Sequence, residues 1–117
     1  MTYHIFVYGT LRREASNAHR MASASFVSTA IAHGNLYCVD WYPGLVLSNS
    51  GRAVIGEVYT VDENTLAQLD AYEGEEYRRV LSAVELEDGS VAEVWVWEYV
   101  REVSSLTLIA SGDWLDV

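Results

Sequence analysis

The chain has 117 residues, half of them hydrophobic, and a formal net charge of −10 from seven basic and seventeen acidic side chains. That length suits one domain, expected over residues 1–117, with a core that needs no metal or disulfide staple. No apolar run approaches the ~20 residues of a membrane-spanning helix, and the acidity argues against nucleic acid and anionic membranes, where basic side chains supply much of the affinity.

All seven basic residues are Arg. The missing lysine removes Schiff-base chemistry, pyridoxal phosphate anchoring and the Walker A lysine. Cys38 is alone, so an internal disulfide and a Cys-rich zinc site are excluded, and His4, His19 and His33 show no metal-ligand spacing. Neither a cofactor nor a metal is expected. Met1-Thr2-Tyr3-His4 lacks a positively charged leader and runs straight into strand-like sequence, which predicts a cytoplasmic protein.

In chain order, Tyr3–Tyr8 is β-branched and aromatic and ends at Gly9, so it reads as a buried first strand. Arg12–Met21 is polar and helix-compatible, with Asn17 as a candidate cap. Phe26–Tyr37 alternates loosely around Gly34-Asn35, which suggests two strand pieces or a bulge. Tyr42-Pro43-Gly44 has the residues of a turn, with Pro at the second and Gly at the third position. Leu45–Leu47 and Ala53–Val61 read as strands around the Ser48–Gly51 loop. Glu63–Glu73 is the strongest helix: Asp62 can cap its N-terminus, Glu63 complements the helix dipole, and Gly74 stands where a left-handed residue ends a helix. Arg79–Leu86 and Val91–Tyr99 form a hairpin around Asp88-Gly89. The tail, Leu106–Val117, carries Leu108, Ile109, Trp114 and Leu115 and is expected to dock on the body. Strands dominate without β-helix-β alternation, so an α+β fold around a curved or barrel-like sheet is expected.

Two stretches carry potential chemistry. Leu66, Leu69 and Glu73 are spaced i, i+3, i+7 and share a helix face. If the leucines face the sheet, Glu73 is a desolvated carboxylate at the negative end of the helix dipole, with a pKa raised toward that of a general base near neutrality. If the helix end frays, Glu73 is an ordinary solvated residue. In Tyr8-Gly9-Thr10-Leu11-Arg12, a sharp turn at a positive-φ Gly9 would leave the N–H groups of Gly9 to Leu11 as an anion-binding nest; an ordinary strand exit is the plain alternative. In Tyr77-Arg78-Arg79 an arginine could hold a carboxylate ligand or pair with Glu75 or Glu76. Cys38, near Asp40 and His33, reads as a buried inert thiol rather than a nucleophile. The Trp95/Trp97 and Tyr37/Tyr42 clusters read as packing rather than as a ligand cage.

Taken together, Val7–Arg12, Leu36-Tyr37, Tyr42-Pro43-Gly44, Gly56-Glu57-Val58-Tyr59, Leu69–Gly74 and Tyr77-Arg78-Arg79 stand in an order that resembles the γ-glutamylcyclotransferase-like family, and Leu108–Leu115 looks like the tail of its short bacterial members. The resemblance implies a small mixed β-barrel of about six strands flanked by short helices, with a cavity at one end. It implies that Tyr8, Gly9, Thr10 and Leu11 hold the glutamyl part of a small-molecule substrate. It further implies that Glu73 is the acid/base that drives release of 5-oxoproline from a γ-glutamyl amine or peptide; Tyr77, Arg78 and Arg79 stand beside these as secondary candidates for the site. Three glutamates lie close together, so Glu76 is the alternative to Glu73. A non-catalytic small-molecule-binding or interaction module on the same fold is the competing function.

Overall fold

Ile5, Phe6 and Val7 are apolar in succession because the first strand is covered on both sides. Phe6 and Tyr8 enter a core inside the sheet, while Ile5 and Val7 enter a second core between the sheet and the helix. A strand buried on both faces loses the polar alternation of a surface strand. In the computed structural model, which describes residues 1–116, this is β1 (Thr2–Val7), followed by β2 (Ser25–Cys38), β3 (Pro43–Leu47), β4 (Arg52–Asp62), α1 (Glu63–Glu73), β5 (Tyr77–Leu86), β6 (Val91–Tyr99) and β7 (Thr107–Leu108). Short 3-10 turns occupy Ala18–Met21 and Gly74–Glu76.

The strands form one mixed sheet in the order β3-β2-β4-β1-β6-β5, and the additional β2–β5 pairing closes β2, β4, β1, β6 and β5 into a five-stranded barrel. Among the described residues only β1 and β6 run parallel, through Ile5↔Trp95 and Phe6↔Val96. The other two strands, β3 and β7, pair with the far end of β2. The α+β barrel expected from the sequence is therefore present, as five closing strands with two additions.

β2 corrects one expectation. It is a single strand of 14 residues, and its bulge lies between Phe26 and Ser28 rather than at Gly34-Asn35. Gly34 is instead where β2 exchanges partners, pairing Arg52 of β4 on one side and Leu47 of β3 on the other. Pro43-Gly44 is likewise no turn: both residues open β3, and the chain reverses before them, where Val39 and Asp40 donate to the Tyr42 carbonyl.

The helix forms as its signals dictate. Asp62 accepts from the Thr65 N–H at 2.7 Å, and Gly74 leaves the helix at φ 73°, a region costly for a residue with Cβ. Leu66 and Leu69 are buried against the second core. Between Arg12 and Met21 only Ala18–Met21 is helical, and Asn17 makes no side-chain cap there. In the tail, Ile109 is buried and donates to the Leu36 carbonyl, while Leu108 and Leu115 are exposed. Val117 lies outside the described residues.

Candidate active site

Glu73 ends α1, one turn beyond Asp70, and Asp70 fixes where that end sits. Asp70 accepts from Arg79 Nε at 2.9 Å, from an Arg79 terminal nitrogen at 3.1 Å and from Trp97 Nε1 at 2.9 Å. The carboxylate thus ties α1 to both β5 and β6. Leu66 and Leu69 turn the same helix face inward, and Glu73 follows them to the wall of a cavity of about 440 Å³, within the ~300–1,000 Å³ range of ligand sites.

The opposite wall is the loop after β1. Its backbone is braced through its carbonyls: Arg12 N–H donates to Gly9 O at 3.1 Å and Asn17 N–H to Thr10 O at 2.8 Å. The Thr10 hydroxyl shares a 2.9 Å hydrogen bond with the Tyr72 hydroxyl of α1. Among the described residues, the N–H groups of Gly9, Thr10 and Leu11 have no acceptor. Gly9 is required here for a different reason from the one expected. Its φ is not positive; a Cβ at this position would lie 2.6 Å from Pro43 Cγ. Glycine permits close approach to the start of β3 rather than a left-handed turn.

Beneath this loop lies a buried charge network. Arg12 Nε donates to Glu57 at 3.3 Å and its terminal nitrogen to Asp113 at 2.6 Å. Glu57 also accepts from the Arg13 N–H at 2.9 Å and the Tyr59 hydroxyl at 2.8 Å. One arginine therefore joins the loop, β4 and the tail.

The cavity's electrostatics single out Glu73. Burial, and then the nearby Asp70 carboxylate, push its pKa up to about 7. Among the described residues its carboxylate has no hydrogen-bond partner. Glu76 also reaches the cavity, but it accepts from the Tyr42 hydroxyl; that bond, with burial, pushes Tyr42 up to about 12. Tyr8 is raised by burial and then by the field of Glu73. Its hydroxyl donates to Trp97 O at 2.7 Å and accepts from the Leu45 N–H at 3.2 Å, so it serves as a cross-brace. Tyr77 is also raised, chiefly by burial, and donates to the Pro43 carbonyl.

The structure therefore brings Tyr8, Gly9, Thr10, Leu11, Glu73 and Tyr77 to one cavity. Arg78 and Arg79 are not among its lining residues: Arg78 is exposed, and Arg79 pairs with Asp70 and covers Trp95. The partner of Arg79 is thus neither Glu75 nor Glu76. Cys38 is half-buried and also outside the lining, with Sγ near the Asp40 carbonyl. Sequence reasoning missed Arg20 and Tyr72 as wall residues and placed Tyr42 and Trp97 in packing clusters, whereas both line the cavity. Among the described residues, no three His, Cys, Asp or Glu side chains are grouped to hold a metal, and no helix is long and apolar enough to cross a membrane.

A barrel with a cavity walled by the Gly9 loop and a helix-end glutamate matches a known class. Residues 5–116 match the family model described as gamma-glutamyl cyclotransferase, AIG2-like, and the chain belongs to that family. It is 44% identical over 115 residues to the gamma-glutamylcyclotransferase family protein YtfP of Escherichia coli, covering 96% of both chains. Among solved structures, an AIG2-like protein of Mus musculus superposes with a TM-score of 0.81 at 30% identity, over 92% of this chain and 85% of that one. YkqA of Bacillus subtilis superposes with a TM-score of 0.83 at 29% identity over 97% of this chain, which spans only 40% of that longer protein.

Proposed function

We propose that the protein is a γ-glutamyl cyclotransferase that releases 5-oxoproline from a small γ-glutamyl compound. The observation that carries this reading is the pairing, across one cavity, of an unpartnered Glu73 carboxylate raised to about 7 with the unused N–H groups of Gly9, Thr10 and Leu11. The N–H groups receive the substrate's α-carboxylate. Glu73 takes a proton from the α-ammonium, and the freed nitrogen attacks the γ-carbonyl carbon. As the five-membered ring closes, the bond to the leaving nitrogen breaks; Glu73 returns the first proton to that nitrogen, and the second proton shed by the ring nitrogen passes to the same leaving amine, which departs as its ammonium. The products are 5-oxoproline and a free amine. Proton transfer contributes roughly 10²–10⁴-fold; holding the glutamyl chain folded so that amine and carbonyl meet supplies the larger share.

Linkage selectivity tests the reaction. Only a γ-linkage lets the α-amine close a five-membered ring, so γ-glutamyl dipeptides should yield 5-oxoproline by mass spectrometry and α-glutamyl dipeptides should yield none. Release of glutamate instead means hydrolysis. Tight binding of γ-glutamyl compounds without product means a binding module, and either result overturns the proposal.

The loop's role is tested at Gly9. The Gly9→Ala methyl must displace the loop or the stiff Pro43 ring, moving the N–H groups by tenths of an ångström. A fall in kcat/KM of about tenfold or more is expected, against less than about threefold for Thr10→Ser, which keeps the hydroxyl bonded to Tyr72. Equal effects of the two would remove the loop from the site.

A further inference from the structure

Of the seven arginines, only Arg20 lines the cavity. Arg20 is exposed at the cavity rim, where two contacts hold its side chain. Nε donates to Asn17 Oδ1 at 3.2 Å, and the guanidinium lies 4.3 Å from the centroid of the Tyr72 ring. Tyr72 is held in turn by its hydroxyl bond to Thr10. With one face stacked and Nε engaged, the two terminal nitrogens remain as the forked donor that a carboxylate accepts bidentately. No carboxylate among the described residues pairs with Arg20, although acidic side chains outnumber basic ones more than twofold.

A second hollow of about 300 Å³ adjoins this point, and Arg20 and Tyr72 belong to its wall as well. The rest of that wall includes His19, Ser23 and Gln68, so it is polar. Arg20 thus stands between the cavity that holds Glu73 and a shallow surface hollow beside it. A ligand with its glutamyl end on the Gly9–Leu11 loop and its amide bond at Glu73 has only the leaving portion left to place, and the cationic part of the wall is Arg20.

We propose that Arg20 is the specificity determinant of this site, selecting γ-glutamyl compounds whose leaving amine carries a carboxylate, as in a γ-glutamyl amino acid or short peptide, over γ-glutamyl amines that lack one. The assignment rests on the cyclotransferase reading of the cavity. A charge-assisted, bidentate contact at a partly exposed wall favours the anionic substrate by about tenfold.

The test compares kcat/KM for γ-glutamyl-alanine and γ-glutamyl-ethylamide, which differ only by the alanine carboxylate. The parent should favour γ-glutamyl-alanine about tenfold; Arg20→Gln should bring the ratio to within about twofold of one, and Arg20→Lys should keep an intermediate ratio. Equal handling of the two compounds by the parent, or a parent-like ratio in Arg20→Gln, overturns the proposal; a purely structural arginine gives the second result, since its loss lowers both rates together. If the parent turns over neither compound, the cyclotransferase reading fails on its own, and the same pair is compared as ligands by calorimetry. A preference for γ-glutamyl-alanine that disappears in Arg20→Gln then upholds the role of Arg20, and equal or absent binding overturns it.

Discussion

Glu73→Gln should lower 5-oxoproline release by at least about 10²-fold while making the protein more heat-stable at neutral and alkaline pH. The carboxyl titrates near 7 in the folded chain against ~4.3 when unfolded, so the native state binds this proton more tightly. Below about pH 4 the group is neutral in both states and costs nothing. Stability then falls as pH rises through about 7, above which the ionised, desolvated carboxylate costs of order 3–4 kcal/mol. The amide keeps the shape without the charge. Melting curves of parent and variant should therefore coincide near pH 4 and separate by several degrees at pH 8, at a few degrees per kcal/mol for a chain of this size. Glu75→Gln, exposed and outside the cavity lining, should leave turnover and melting within experimental scatter of the parent, and Glu76→Gln, which keeps an acceptor for the Tyr42 hydroxyl, should retain turnover. A dead Glu76→Gln beside an active Glu73→Gln would move the acid/base role three residues along.

Loss of Arg12 should be the most damaging single change to stability. Arg12 and Glu57 are both nearly inaccessible, with side-chain exposures of 9% and 4%. Removing one member of a buried pair strands the other charge, which costs about 3–5 kcal/mol, whereas replacing both by uncharged groups of similar size removes most of that cost. Urea unfolding should show Arg12→Met destabilised by at least about 3 kcal/mol and the Arg12→Met/Glu57→Gln double variant recovering a substantial part of it. A double variant no better than the single one would mean that the network contributes through shape rather than charge. Because Arg12 also holds Asp113, the tail should become more susceptible to proteolysis in the same variant.

The features legible in the sequence are those whose causes are local. Asp62, Glu63 and Gly74 mark the helix because capping, dipole and positive-φ preferences act within one turn. The inward face of Glu73 follows from its register with Leu66 and Leu69. What escaped depends on partners far along the chain. Arg12 finds Glu57 and Asp113 at separations of 45 and 101 residues, and Arg20 reaches the cavity only because Tyr72 of α1 packs beside the Asn17 loop. Glycine carries the same ambiguity. Gly74 satisfies a backbone angle, Gly9 a close approach to Pro43, and Gly34 marks a change of strand partner; neighbouring residues do not distinguish these uses. The hollow beside Arg20 is a product of tertiary structure alone, formed where the segment from His19 to Ser23 meets one face of α1.

The pH dependence of kcat/KM for 5-oxoproline release from a γ-glutamyl dipeptide tests the central claim most directly. Glu73 must be ionised to accept the α-ammonium proton, so the rate should rise tenfold per pH unit on the acid side and level off above an apparent pKa of about 7. That limb should vanish with the activity in Glu73→Gln. A rate that is flat between pH 5 and pH 8, or the same limb persisting in Glu73→Gln, would contradict the assignment of Glu73 as the group that moves the proton.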